Sequence, residues 1–236
     1  MIMLHYLFAI AAVISALLVV PASAQPSSET PKTDAQPFLP RDEAAYDQSW
    51  TRFRDQLLDA LQKRDLKFVM SIVDPNVRNG IERPNGHAEF RRQWHVDDED
   101  SPLWRELPRA LHLGTAHYGH ARMPRSLCAP YVMPYWPKQV DPRNNGAVTA
   151  RETSMRERPS GAAPVIVSFG HSIVRVIDWE VADTDPEIKQ KWVKISVDAR
   201  DGYIPEEHIR SPIEHLACFR RSETGWRLTS FLAAGE

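Results

Sequence analysis

The tightest constraint on the fold comes from a segment in which apolar and polar residues alternate, KWVKISVDARDGYIPEEHIRSP, at positions 191–212. A period of two residues is the pattern of a β-strand with one buried face, and Asp201-Gly202 is a turn signal between two such strands. The segment therefore predicts a β-hairpin. Trp192 and Tyr203 would supply its apolar area, and Gly202 would supply a turn geometry that a side chain hinders.

The part of the chain before Gly114 has a helical period instead. Its apolar residues recur at spacings of three and four, which places them on one face of a helix. Four helices are predicted, and their signals are the stripe Trp50, Phe53, Leu57, Leu58 and Leu61, the N-cap Asp65, the range 85–94, and a Ser101-Pro102 start. Together these segments predict a compact helical domain.

Short strand-like runs follow Gly114, and several of them carry motifs in a consistent order. The motifs are SMRERPS at 154–160, VIVSFG at 165–170, IVRV at 173–176, WVKI at 192–195, DGYIP at 201–205 and His208-Ile209. This series, over about 147–210, resembles bacterial SH3-like domains, which open on a variant of Asn-Val-Arg-x-x-Pro-Ser. Ser154 and Met155 depart from that opening motif, and the loop before Trp192 is longer than in the family. The helical part is similar to the helices of cystatin-like, nuclear-transport-factor-like domains.

The resemblance implies an α+β fold, with a small N-terminal helical domain followed by an SH3-like β-barrel and an extra C-terminal β-hairpin. Trp192, Gly202 and Tyr203 would be structural residues of the barrel. The expected organisation is a signal peptide at 1–24, a flexible linker at 25–45, the helical domain at 46–125, and the SH3-like β domain with its hairpin at 126–236.

The signal peptide is predicted from an apolar run between Leu7 and Val20, followed by Pro21 and the small-residue cleavage motif Ala22-Ser23-Ala24. An uncleaved membrane anchor is the competing interpretation, because no Lys or Arg precedes the run. The run is short for a membrane span, so cleavage is favoured. We expect a periplasmic or secreted bacterial protein that has no membrane span after cleavage.

Export makes the two cysteines informative, because thiols pair in oxidising compartments. Cys128 and Cys218 are the two cysteines of the chain, and we predict one disulfide between them. Two buried free thiols are the alternative. Cys128 lies in a strand-like Leu-Cys-Ala-Pro-Tyr rather than at a helix N-terminus, where a thiolate would be stabilised, so a structural role is predicted rather than a nucleophilic one.

Residues whose side chains could act in catalysis or bind a metal form no recognisable catalytic motif. His112, His117 and His120 make a His-x4-His-x2-His pattern that is conceivable for zinc or copper. Its spacing is not a known zinc signature, and Gly114 interrupts the helix that would align the first two rings. We therefore predict no metal, no cofactor and no catalytic residue.

Aromatic residues are the remaining candidates for a ligand site. The segment YVMPYWP at 131–137 contains prolines that hinder a regular buried strand, so Tyr131, Tyr135 and Trp136, together with Trp179, are predicted to bind a ligand. A packed loop is the alternative. The net charge of −2, without a block of Lys and Arg, argues against nucleic acid as a partner.

These observations predict a non-enzymatic binding module that recognises a cell-envelope component, either a peptidoglycan peptide or a protein partner. The alternative is an envelope hydrolase or a metal-binding enzyme that uses His112, His117 and His120. The oligomeric state stays open.

Overall fold

The computed structural model of the protein describes residues 35–80, 82–120 and 123–233, so the predicted signal peptide and the first part of the expected linker lie outside it. Four helices are found in the described part, α1 (Gln48–Gln62), α2 (Leu66–Ile72), α3 (His87–Trp94) and α4 (Leu103–Leu111). None of the helices in these ranges is long and apolar enough to cross a membrane.

Aspartate side chains cap the N-termini of the first two helices. A carboxylate oxygen of Asp47 accepts hydrogen bonds from the backbone N–H groups of Ser49 and Trp50, at 2.8 and 3.2 Å. Asp65 accepts from the backbone N–H of Phe68 at 2.9 Å, which confirms the predicted N-cap of α2. Such a cap stabilises a helix by about 1 kcal/mol, because the N–H groups of the first turn have no partner within the helix.

The strands form two sheets. Their bounds are β1 (Gln36–Pro37), β2 (Val73–Arg78), β3 (Ala116–His120), β4 (Met123–Ala129), β5 (Asn145–Val148), β6 (Thr153–Arg156), β7 (Val165–Phe169), β8 (Ser172–Ala182), β9 (Lys191–Val197), β10 (Arg200–Pro205), β11 (Ile209–Arg210), β12 (His215–Ser222) and β13 (Gly225–Ala233). A short 3-10 helix, Glu206–His208, joins β10 to β11.

The helices pack on a five-stranded sheet of order β2-β13-β12-β4-β3, which we call the helix-covered sheet. The ring centres of Trp50 in α1 and Phe219 in β12 are 5.0 Å apart, and Trp94 of α3 stacks on Phe231 of β13 with ring centres 4.1 Å apart. The predicted separate helical domain is therefore wrong. An amphipathic helix needs a partner for its apolar face, and here strands from the end of the chain supply it.

The other sheet has eight strands in the order β11-β5-β8-β9-β10-β6-β7, with β1 beside β8, and we call it the inserted sheet. The predicted closed barrel is wrong, because β7 and β11 end the sheet and do not pair with each other among the described strands. The alternation in β9 holds, since Val193, Ile195 and Val197 are buried. Alternation sets which face of a strand is buried, but it does not encode whether end strands meet.

The hairpin of β9 and β10 turns three residues earlier than expected. Its turn lies at Asp198-Ala199, where both residues have positive φ, 52° and 56°, as a tight two-residue turn requires. Gly202 lies inside β10, where a Cβ would come within 2.5 Å of the Met155 side chain. It serves close packing rather than the turn. Trp192 is buried, and Tyr203 is half-buried.

In chain order, strands β5 to β11 of the inserted sheet come between β4 and β12, which are paired neighbours in the helix-covered sheet. Cys128 of β4 is paired in register with Cys218 of β12, and the two form a disulfide, which confirms that prediction. The C-terminal hairpin of β12 and β13 is therefore not an addition to a barrel. It forms the middle of the helix-covered sheet.

Residues 35–47, which we call the N-terminal strap, connect the two sheets. In the strap, β1 pairs with the start of β8 in the inserted sheet. Further on, Glu43 N–H donates to Thr115 O at 2.9 Å, and Thr115 N–H donates to the Asp42 carboxylate at 3.2 Å, just before β3.

Candidate functional site

Two of the predicted ligand-binding aromatics pack around a residue of the strap. The rings of Tyr131 and Trp136 lie 5.4 and 5.8 Å from the ring of Phe38. Tyr131 is only 1% exposed, and burial raises the pKa of its hydroxyl to about 12. The indole N–H of Trp136 donates to Val140 O at 2.8 Å. Both rings thus hold the strap against the inserted sheet.

Tyr135, from the same segment, donates its hydroxyl to the carboxylate of Glu43 in the strap. This carboxylate also accepts from the backbone N–H of His117 at 2.7 Å and from its ring Nδ1 at 2.8 Å. The hydrogen bond from Tyr135, together with those from His117, lowers the pKa of Glu43 to about 2. The Arg41 guanidinium lies 4.4 Å from the centre of the Tyr135 ring. Glu43 therefore stays ionised at neutral pH and fastens the strap to β3.

Two histidines of the His-x4-His-x2-His pattern, His112 and His117, have different surroundings. His117 lies in β3 with its Nδ1 held by Glu43, whereas His112 follows the end of α4 and lines a pocket with Arg41. His120 ends β3, and its side chain lies outside the described part. Within the described ranges no three His, Cys, Asp or Glu side chains are grouped so that they could hold a metal ion.

A cleft of about 690 Å³, which we call the charged cleft, opens where α4 lies near the inserted sheet. This volume is within the range of about 300–1,000 Å³ that is usual for ligand pockets. Its walls come from α4, the end of β8, the β8–β9 connection, the start of β9, the 3-10 helix, and the link from β11 to the start of β12. The lining residues are Arg105, Glu106, Arg109, Trp179, Glu180, Lys189, Gln190, Lys191, Glu206, Glu207, Ser211, Ile213, Glu214 and His215.

Trp179 of β8 is the predicted ligand-binding aromatic that the structure places in the charged cleft. Its ring is half-buried and packs close to Gly146 of β5, where a Cβ would come within 3.2 Å of it. Tyr131, Tyr135 and Trp136 do not line this cleft. The four predicted residues therefore do not form one site.

Glu106 of α4 is a buried carboxylate in the wall of the charged cleft. His215 Nδ1 lies 3.8 Å from one of its oxygens, and Arg105 Nε lies 2.7 Å from the other. Interaction with His215, then with Arg105, and the positive charge of Arg109 at longer range lower the pKa of Glu106 to about 2 against the opposing effect of burial. Glu106 is thus a fixed negative charge at any physiological pH.

Arg210 lies beside the residues of the cleft and is only 1% exposed. Its Nη1 is 2.8 Å from a carboxylate oxygen of Glu214, and its Nη2 donates to His215 O at 3.3 Å. Its Nε has no hydrogen-bond partner within the described part of the chain. Burial lowers the pKa of Arg210, and Glu214 opposes that effect. The pair fixes the loop that carries Glu214 and His215 into the cleft wall.

Three charged side chains of the cleft have no ion-pair partner in the described ranges, and we call them the open charges. Arg109, Lys189 and Glu206 form no side-chain ion pair within 4.0 Å with any residue of the described ranges. Arg109 Nη2 lies 3.5 Å from the backbone oxygen of Glu206, which places these two residues side by side. Lys189 lies in the β8–β9 connection and is exposed.

Sequence reasoning missed these open charges and the buried Arg210. Arg105 and Arg109 are four residues apart on α4, a spacing that indicates a cationic stripe on one helix face. No local pattern connects that stripe with Lys189 or Glu206, because the fold brings them together over long sequence distances. Ile209 and Arg210 are consecutive and both buried, which an alternating pattern does not anticipate.

Comparison of the chain with protein-family models, curated proteins and solved structures finds no match. The SH3-like and cystatin-like resemblances therefore stay predictions. What the geometry offers is a cleft in which charges of both signs are held at defined positions, an arrangement suited to recognition of a charged ligand.

Proposed function

We propose that this is an exported, non-enzymatic binding protein that holds a component of the bacterial cell envelope, a peptidoglycan peptide or a protein partner, in the charged cleft. The observation that carries the proposal is the cleft of about 690 Å³, with Trp179 and charges of both signs in its walls. The disulfide between Cys128 and Cys218 supports export, because such bonds persist in oxidising compartments.

Two carboxylates in the wall of the cleft are held in place before any ligand arrives. Glu106 is fixed by Arg105 and His215, and Glu214 is fixed by Arg210. Polar groups that are already ordered lose little conformational entropy on binding, so more of the interaction energy appears as affinity. This arrangement favours a binding role for the cleft.

The test is co-sedimentation of the purified full chain with purified sacculi. We compare the wild type with the double variant Trp179→Ala, Lys189→Glu, and with Lys67→Glu as the control. Lys67 is an exposed lysine of α2, outside the residues that line the cleft, and its substitution changes the net charge by the same amount as Lys189→Glu. We expect retention of the wild type and the control, and loss of the cleft variant.

Retention that is equal for the wild type and the cleft variant would contradict the assignment of binding to the cleft. Absence of wild-type retention would reject the peptidoglycan form of the proposal. In that case, photo-crosslinking from position 189 in the periplasm should capture one defined envelope protein. Failure of that experiment as well would reject the proposal entirely.

A further inference from the structure

The charges of the cleft fall into two sets. One set is neutralised within the protein, through the pairs Arg105–Glu106, Lys191–Glu180 and Arg210–Glu214. The other set is the open one, Arg109, Lys189 and Glu206, for which the described residues provide no ion pair. Glu207 also lines the cleft, and its one ion-pair partner in the described ranges is the ring of His208, 3.9 Å away. A ligand therefore meets two cations, Arg109 and Lys189, and two carboxylates, Glu206 and Glu207.

The open charges restrict the chemistry of a ligand. Two cations attract two anionic groups, while Glu206 repels an anion and attracts an ammonium group. A phosphate or sulfate ion next to Arg109 would be repelled by the backbone oxygen of Glu206, which is 3.5 Å from Arg109 Nη2, and by the carboxylates that line the cleft. A molecule that carries anions and a cation at separate positions avoids this repulsion.

We infer that the charged cleft binds a short peptide that carries carboxylate groups and an amino group at separate positions. Its carboxylates bind Arg109 and Lys189, and its amino group binds Glu206. Trp179, whose ring is half-buried in the same cleft, contacts the apolar part of the peptide. This inference rests on the proposed function and gives the ligand class of the same site.

The probe is the tripeptide Ala-Glu-Ala with free ends, which has two carboxylates and one amino group. Its N-acetyl form lacks the amino group, and Ala-Gln-Ala amide lacks both carboxylates. Binding of each to the full chain is measured by isothermal titration calorimetry at low salt, because screening weakens exposed charge pairs. We expect the free tripeptide to bind about tenfold more tightly than either analogue, a difference of about 1.4 kcal/mol.

The variants assign each contact to one residue. Arg109→Gln and Lys189→Gln should each weaken Ala-Glu-Ala about tenfold, and Arg109→Lys, which keeps the charge, should restore most of the binding. Glu206→Gln should weaken the free tripeptide and should not weaken the N-acetyl form, which has no ammonium group and is repelled by the Glu206 carboxylate. Lys67→Gln is the matched control and should bind as the wild type does. Circular dichroism spectra and urea midpoints of all variants establish that they are folded.

Equal affinity for the three peptides, or no binding of Ala-Glu-Ala at millimolar concentration, would overturn the inference. Sacculus retention without tripeptide binding would reject this ligand class while the proposed function stands. Tripeptide binding without sacculus retention would keep the ligand class and reject the peptidoglycan source.

Discussion

Removal of the disulfide is the change whose effect on the free energy of unfolding follows most directly from the topology. Cys128 and Cys218 are 90 residues apart, and nearly the whole inserted sheet lies in the loop that they close. In the chain-entropy account, a crosslink over a loop of this length destabilises the unfolded state by about 4.6 kcal/mol at 25 °C. The double variant Cys128→Ala, Cys218→Ala should therefore be less stable by about 4–5 kcal/mol.

The structure indicates that this loss arises in the unfolded state. Ala129 pairs with Ala217, and Leu127 pairs with Phe219, so backbone hydrogen bonds still hold β4 beside β12 when the sulfurs are absent. The folded sheet should persist, while the unfolded chain becomes more expanded. Both effects predict a native circular dichroism spectrum at low urea and a steeper dependence of the unfolding free energy on urea.

The assay is urea unfolding of the oxidised wild type and the double variant, followed by tryptophan fluorescence. Reduced wild type provides a second route to the same state, and the reductant should leave the double variant unchanged. A loss of less than 1 kcal/mol in the variant, with an unaltered urea dependence, would refute the reasoning, because the loop closure would then contribute little to the stability.

Three further outcomes are expected. Glu214→Gln leaves the buried Arg210 charge without its carboxylate and should lower the free energy of unfolding in urea by about 3 kcal/mol. Adding Arg210→Met should recover most of that loss, because the unpaired charge is then removed. No recovery would show that Glu214 does not stabilise the protein through its pairing with Arg210. The pKa of Glu106 is about 2 in the folded state against an ordinary 4.5, so its stabilisation is present above pH 4.5 and is lost as the pH falls through 2. The wild type should thus lose about 3 kcal/mol more than Glu106→Gln between pH 5 and pH 2 in unfolding titrations, and parallel profiles would contradict the pairing with His215. Glu43→Gln should lower the free energy of unfolding by about 1–2 kcal/mol and speed hydrogen exchange of the strap amides. Unchanged exchange at residues 38–47 would show that Glu43 does not hold the strap on β3.

The charged cleft illustrates why only part of a site can be predicted from one sequence. Trp179 could be singled out, because large aromatic residues in a strand-rich region are natural candidates for contact with a ligand. Arg109, Lys189 and Glu206 carry no such signal, since isolated charged residues in a sequence mostly indicate a solvated surface. Their significance appears only when a helix and two connections of the inserted sheet line one cavity.

The sequence by itself determined the local structure. The helical stripes, the cap at Asp65, the buried alternation of β9 and the pairing of the cysteines follow from spacings, side-chain chemistry and the number of thiols. Each depends on interactions within a few residues or on a choice with few alternatives. Only the tertiary structure decided which elements meet. The placement of the helices on β12 and β13, the open inserted sheet and the cleft depend on packing between segments far apart in the chain, and neither periodicity nor capping encodes that packing.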